Sequence, residues 1–250
     1  MTTTLRVLTY NILKGGVGRE EHLATVINHQ SPDIVVLQEA TRPDVVERLA
    51  RETQMIAWGA TRGRSLGFMS RVRMAEQRWI RPRWSQHAFL ELVPEGLDVR
   101  IFGVHLSAVH AAWTEARRVR ELRSMLAAIK SHDQTHHVLV GDFNTLAPGE
   151  LLQVAKLPYR LRILVWLSGG RIRWQTIAII LGAGYVDGFR HLHDGDQGLT
   201  FPTWDPHSRL DYVFVPKPFV GRLKACDVVT DSPSLRLASD HFPVRASIEW

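Results

Sequence analysis

The chain reads as an α/β protein, and three observations predict this. Strand-like and helix-like apolar periods alternate through its first half. Several of the apolar strands stop at a polar residue. At 250 residues, 45% hydrophobic and 22% charged, the chain can bury a large core and has no low-complexity tract. The length fits one α/β unit or two small domains, and a single domain over residues 1–250 is the expectation. Alternation of this kind, taken alone, suggests a parallel sheet.

In order along the chain, residues 5–12 read as a strand. Residues 20–30 follow as a helix with Leu23, Val26 and Ile27 on one face, and 33–38 as a buried strand. Thr41 and Asp44 have the Thr-x-x-Asp spacing of a helix start, and Val45, Val46 and Leu49 supply the apolar face behind it. Residues 99–106 form a second strongly apolar strand carrying a histidine near its end. A long helix is predicted over 112–129, its stripe made by Trp113, Ala116, Val119, Leu122, Leu126 and Ile129. A strand then enters at 137–140 and stops at Gly141-Asp142-Phe143-Asn144, and 210–215, 225–230 and 244–250 read as the last strands. No internal repeat and no Gly/Ser/Pro-rich linker divides the chain.

A formal charge of +6 suits a phosphate-bearing or polyanionic partner. Only Lys14, Lys130, Lys156, Lys217 and Lys224 among the 31 basic residues are lysines, and an arginine bias of this kind also follows from genome base composition. The lone cysteine, Cys226, excludes an internal disulfide framework and a cysteine-rich metal site, and reads as a small core residue. The start of the chain lacks the charged, apolar and small-residue pattern of a secretory signal, so a cytoplasmic location is expected.

Polar residues stand at or just beyond apolar strands at Asn11, Glu39, His105, Asp142, Asn144 and Ser239-Asp240-His241, with Asp211 inside 209–214. Each has an ordinary reading: Asn11 as a turn former, Glu39 as a solvated residue, His105 as a satisfied core histidine, the Gly141 to Asn144 run as a turn. Taken together, carboxylates and amides are the hard oxygen ligands that Mg²⁺ and Mn²⁺ prefer, and acidic side chains are rarely buried without a partner. A sheet that sets its strand ends along one edge can gather such residues into a cleft.

Tyr10-Asn11, Gln38-Glu39, His105-Leu106, Gly141-Asp142-Phe143-Asn144, Leu210-Asp211-Tyr212 and Ser239-Asp240-His241 resemble the ordered motif series of the endonuclease/exonuclease/phosphatase superfamily. The resemblance spans residues 5 to 250. It implies a four-layer α/β sandwich, two mostly antiparallel sheets face to face with helices outside. It also implies hydrolysis of a phosphate ester with Mg²⁺ or Mn²⁺ as cofactor. Glu39, with Asn11 and Asp240, is implied as the metal-holding set. Asp142 would activate water and Asn144 and His105 would donate to phosphate, with His241 oriented by Asp211. One departure is Leu13, where abasic-site endonucleases typically carry an acidic residue. The motifs leave the substrate open, with nucleic acid the first expectation and phospholipid or small phosphate esters behind it. A binding module that kept the fold without the chemistry is the alternative from another class.

Residues 157–181 are unusual, their apolar runs broken by Arg160, Arg162, Arg171 and Arg173 and too short to span a bilayer. Three readings stay open: two short helices turning at Gly169-Gly170, a lid bringing Trp166 or Trp174 to substrate, or a lipid-surface patch. The loop over 200–206 offers Trp204 for stacking on a base, or for packing, and His207 and Arg209 for phosphate, or as solvated loop residues.

Overall fold

The structure is a computed structural model that describes residues 4–250, leaving out 83, 84, 86, 110, 133, 134, 170, 171, 173 and 233. Two six-stranded sheets form it. The first runs β11 (Leu223–Val228), β12 (Val244–Glu249), β1 (Thr4–Asn11), β2 (Ile34–Gln38), β4 (Gly67–Ser70), β3 (Ala57–Ala60). The second runs β5 (Met74–Ile80), β6 (Phe89–Pro94), β7 (Arg100–His105), β8 (His137–Asp142), β10 (Asp211–Pro216), β9 (Tyr185–Asp187). Each sheet has one parallel pair, β1 with β2 and β7 with β8, and is otherwise antiparallel. The crossovers of the parallel pairs are α1 (Glu20–Gln30) and α3 (Ala112–Ile129).

The period-two alternation of the central strands assigns each side chain to a layer. Leu5 and Val7 of β1, Ile34 and Val36 of β2, Ile101 of β7, Val138 and Val140 of β8, and Val213 and Val215 of β10 pack together between the sheets. The alternate residues point outward. Leu8, Tyr10, Val35 and Leu37 meet α1, α2 (Pro43–Glu52) and α7 (Leu235–Ala238). Phe102, Val104, Leu139 and Phe214 meet α3 and α5 (Thr176–Gly182). The result is a four-layer α/β sandwich. Strands covered on both faces read as continuous apolar runs, which is why the central ones are visible in the sequence.

Local readings needed correction. Helix α2 starts at Pro43 behind Arg42, with no side-chain cap, so Thr41 does not open it; the fixed φ of proline suits that first turn. Helix α3 has the expected ends but not the expected stripe. Trp113 is half exposed, while Thr114, Glu115, Arg118 and Glu121 are buried beside Val119 and Leu122. The loops around His105 and Asn144 supply hydrogen-bond partners for that polar face. Strands β3 to β6 and β9 have no counterpart among the expected elements. For edge strand β5 the reason is exposure of most of its residues, so no alternation marks it; β4 and β6 are buried and were missed all the same.

Gly141 is required by the parallel pairing of β7 and β8, where it lies opposite Val104. Its φ is +149°, and a Cβ added there would sit 1.9 Å from the carbonyl oxygen of Val104. Gly141→Ala is therefore expected to destabilise the protein by about 3 kcal/mol, the upper end for overpacking, read by urea unfolding. Gly182→Ala, where a Cβ meets open space, should be close to neutral in the same assay.

Candidate active site

The functional side chains lie where the layer between the sheets ends. Asn11 continues the inward file of Leu5 and Val7, Gln38 that of Ile34 and Val36, His105 that of Ile101, and Asp142 that of Val138 and Val140. Parallel pairing puts the ends of partner strands on the same edge: Asn11 pairs with Gln38 and His105 with Asp142. Strand β10 runs the other way and begins there, with Asp211 opposite Asp142. Burial and register thus bring six chain segments to one edge, the sixth being the loop after α7 with Asp240 and His241.

That loop is held from both sides. Ser239 Oγ donates to the carbonyl of Asn11 at 2.6 Å and accepts from the His241 N–H at 3.2 Å. Thr203 bonds Asp240 through its N–H and Ser239 through its hydroxyl, and Phe242 N–H donates to the Thr200 carbonyl. The ring of Phe201 lies 4.8 Å from that of His241, centre to centre.

Asp142 is the hub. Its Oδ1 accepts the Asn144 N–H at 2.9 Å and its Oδ2 the Asn11 Nδ2 at 3.0 Å. The same Oδ2 lies 3.8 Å from His105 Nε2 and 4.0 Å from His241 Nε2. His241 Nδ1 and Asp211 Oδ2 share a bond of 2.9 Å. Burial opposes charge on His241, but Asp211 and Asp142 outweigh it and push its pKa up to about 10. Burial, with repulsion from Asp211, raises Asp142 above the usual carboxylate range despite His241 and Asn11. His105 has the opposite fate: burial, then repulsion from His87 and His241, push it down to about 3. It is a neutral imidazole stacked on His87 with ring centres 5.8 Å apart.

Glu39 and Asn144 both have left-handed backbones, at φ 57° and 52°. Asparagine tolerates that region, whereas for glutamate it is a strained conformation of the kind concentrated at functional sites. The turn aims Glu39 back at the cluster, where Oε1 lies 3.4 Å from Asn11 Nδ2 and Oε2 accepts the Lys14 N–H. Asp240 is held above its ordinary pKa by burial and then by Glu39.

A divalent cation fits this chemistry. Atoms of Asp142, Asp211 and His241 lie within 4.8 Å of one another, a buried group capable of coordinating a metal. Oδ1 of Asp211 and Nδ1 of His105 are buried without a hydrogen-bond partner. Four carboxylates, those of Glu39, Asp142, Asp211 and Asp240, share the edge, and burial with mutual repulsion raises two of them.

Asn11, Glu39, His105, Asp142, Asn144, Asp211, Asp240 and His241 are thus brought together. Trp204 is exposed on its loop, and Trp174 is half-buried with the Arg118 guanidinium 5.9 Å from its ring centre. Arg209 corrects an expectation. It is buried, with Nε 2.8 Å from Glu150, Nη1 2.7 Å from Asp187 and its guanidinium 4.4 Å above the Tyr212 ring. Its charge is paired inside the fold with Glu150 and Asp187. His207 is also buried, Nδ1 bonding the Asp205 carbonyl. Of the 157–181 turn, Gly170, Arg171 and Arg173 lie outside the described residues.

Sequence reading missed the polar network beneath the site. Glu115 accepts the backbone N–H groups of Gln175 and Thr176 and the hydroxyls of Thr176 and Thr145. Arg118 binds Glu115 and the carbonyls of Ser107 and Val109, and Glu121 accepts from Ser107. These bonds pin the loops after His105 and Asn144 to α3. The signal was present as charges three apart at 115, 118 and 121, a helical spacing, on a helix read for its apolar stripe.

The sequence model of the Endonuclease/Exonuclease/phosphatase family matches residues 8–241. No curated protein matches in sequence. Among solved structures, an AP endonuclease from Archaeoglobus fulgidus superposes with a TM-score of 0.74 at 16% identity, covering 97% of this chain and 98% of its own. The 3′ phosphatase NExo from Neisseria, bound to a product DNA hairpin, gives a TM-score of 0.72 at 18% identity, covering 98% of this chain and 100% of its own. D. rerio TDP2 complexed with a single-strand DNA product gives a TM-score of 0.68 at 18% identity, covering 98% of each chain. At these identities the likeness is one of fold.

Proposed function

The chain belongs to the endonuclease/exonuclease/phosphatase family, a metal-dependent hydrolase of phosphate esters, and from that premise we propose how its residues carry the reaction. The observation that carries the proposal is the surround of Asp142. Two donors fix its carboxylate, and two imidazole nitrogens stand 3.8 and 4.0 Å from one oxygen, just beyond hydrogen-bond range. A water bound there is oriented by Asp142, which takes its proton as the water oxygen bonds to phosphorus and the ester P–O bond breaks. His241, held cationic by Asp211, donates to a phosphoryl oxygen. Neutral His105 and the amide of Asn144 supply further donors to the charge that grows there. Glu39, with Asn11 and Asp240, holds the cation, Mg²⁺ or Mn²⁺. When bound, that ion supplies charge neutralisation at the phosphate and the leaving oxygen. Operation as one domain over residues 1–250, in the cytoplasm, is part of the proposal.

Nucleic-acid strands or ends are the first substrate class. Three similar folds are an AP endonuclease, a 3′ phosphatase bound to DNA and a protein bound to a single-strand DNA product, and the net charge of +6 suits a polyanion. Leu13, in place of an acidic residue, argues against an abasic-site enzyme in particular. A second reading, a phospholipid or small phosphate ester, is favoured by the exposed apolar and basic surface of residues 151–167.

The deciding experiment is metal-dependent hydrolysis of bis-p-nitrophenyl phosphate, p-nitrophenyl phosphate, single- and double-stranded DNA, RNA and sphingomyelin by wild type and His241→Ala. Turnover by wild type is expected to stop with EDTA and return with Mg²⁺ or Mn²⁺, and to fall about 10²-fold or more in His241→Ala. Chelator-resistant turnover would remove the metal from the reaction. No cleavage of any substrate with either ion would favour the binding module.

A further inference from the structure

We propose that the surface centred on α4 (Tyr159–Leu167) adsorbs to an anionic lipid bilayer, lying in the plane of the interface without crossing it. Two independent features carry this, one of shape and one of charge.

Helix α4 is bound to the body by little of its own surface. Val165 is its one fully buried residue. Outward it shows Tyr159 at 76% exposure, Trp166 at 73% and Leu167 at 60%, with Ile163 beside them and Leu151, at 85%, on the segment that leads in. An aromatic and aliphatic patch of this kind is uncommon on a protein that meets only water. The helix is nonetheless firmly placed. Ser168 Oγ accepts the Ala112 N–H at 3.0 Å, Arg162 Nε donates to the Leu157 carbonyl at 2.7 Å, and Lys156 pairs with Asp205 at 2.7 Å. The bonds at Ser168 and Lys156 tie the two ends of the segment to the body.

Its own charge is basic. From Leu151 to Leu167 the sequence holds Lys156, Arg160 and Arg162 and no aspartate or glutamate, with Lys156 paired to Asp205 of the Trp204 loop. Cations beside exposed tryptophan, tyrosine and leucine match an acidic headgroup layer above acyl chains, because the rings settle at the headgroup level while the aliphatic groups pass beneath it. The other occupants match less well. A second copy would set these cations against themselves. A nucleic acid would use the rings and the arginines but leave Leu151, Ile163 and Leu167 in water. Among the described residues no helix is long and apolar enough to cross a membrane.

The placement has a consequence for the catalytic edge. Helix α4 is tied at Ser168 to the start of α3, just beyond the loop that follows His105. At Lys156 it is tied to the loop of Trp204, whose Thr203 bonds Asp240 and Ser239. Trp113 and Trp204, both at least half exposed, are the sequence neighbours of Ala112 and Asp205, the residues bonded at these two ties. A molecule adsorbed through α4 would hold the loops of its catalytic edge near the bilayer surface.

The test is sedimentation of the full chain with vesicles of phosphatidylcholine alone and of phosphatidylcholine mixed with phosphatidylglycerol. Quenching of its tryptophan fluorescence by lipids brominated on the acyl chain is read in parallel. The assay reads adsorption and not hydrolysis, so it fails or succeeds independently of the catalytic proposal. Wild type is expected to bind the anionic vesicles about tenfold more tightly than the neutral ones and to be quenched. The triple variant Tyr159→Ser, Trp166→Ser, Leu167→Ser, which keeps every charge and alters only exposed side chains, should lose about tenfold or more of that affinity with an unchanged melting temperature. Arg160→Glu should lose affinity for the anionic vesicles alone. Absence of binding at low ionic strength would overturn the proposal, as would binding without quenching or equal binding by the triple variant. A wild type that ignores vesicles but dimerises, or binds single-stranded DNA, through the same three residues would assign the surface to that occupant instead.

Discussion

Asp142→Asn is expected to lower turnover about 10³-fold or more while leaving the protein as stable as before, or more so. The loss follows from geometry. Asn144 N–H and Asn11 Nδ2 donate to different oxygens of Asp142, and an asparagine offers only one acceptor, so one donor would face an NH₂ group. The amide cannot take a proton from water, and the two histidines lose the anion they face. The stability side follows from linkage. Asp142 is raised in the folded state, so the fold binds its proton more tightly than the unfolded chain does. Stability therefore falls as pH rises from the unfolded carboxylate pKa to the folded one, and the full cost remains above that. A neutral side chain removes this cost at neutral pH, even though His241 loses a partner. Melting curves in EDTA beside rates with metal would check both halves. Near-normal turnover would defeat the assignment of Asp142, and a matching loss of melting temperature would recast it as structural.

How much of this was legible in the sequence depended on where each residue's partners lie. Strands β1, β2, β7, β8 and β10 were legible because both their faces are buried, and Asp142 or His105 stood out as a polar residue ending an apolar run. Helices α1 and α3 were legible at their ends because the 3.6-residue period survives even when the buried face is partly polar. The face of α3 was not. Glu115 and Arg118 are buried because Thr145, Thr176 and the Ser107 carbonyl wait for them, and those partners lie 11 to 61 residues away in sequence. Arg209 was read as reaching phosphate or as a solvated loop residue, and its burial was not legible because Glu150 and Asp187 bind it from distant segments. Edge elements such as β5 were silent because one-sided burial leaves no apolar run. The fold's two-sheet division came from family resemblance. Alternation alone pointed to a parallel sheet, and only β1 with β2 and β7 with β8 obey it.

Glu39→Ala is expected to weaken Mn²⁺ binding by roughly a hundredfold or more, while Asp211→Asn lowers kcat by a similar factor and leaves that affinity within about tenfold of wild type. The contrast arises because the site offers a cation two carboxylate groupings. In the first, Asp142, Asp211 and His241 are close enough, but of their carboxylate oxygens only Asp211 Oδ1 is without a hydrogen-bond partner, beside a protonated imidazole. Asp211 Oδ2 is bonded to His241 Nδ1 at 2.9 Å, and His241, pushed up to about 10, is an imidazolium with no lone pair for a metal below that pH. In the second, Glu39 Oε1 lies 3.4 Å from Asn11 Nδ2, and Asp240 is raised by burial and by the charge of Glu39. A divalent ion there relieves repulsion without breaking an ion pair, and oxygen ligands suit Mg²⁺ and Mn²⁺ better than nitrogen does. Calorimetric titration of Mn²⁺ into EDTA-stripped protein separates the two without any need for turnover. A large loss of affinity in Asp211→Asn, with Glu39→Ala unaffected, would move the ion to the Asp142, Asp211 and His241 group and leave Glu39 as a holder of the Lys14 turn.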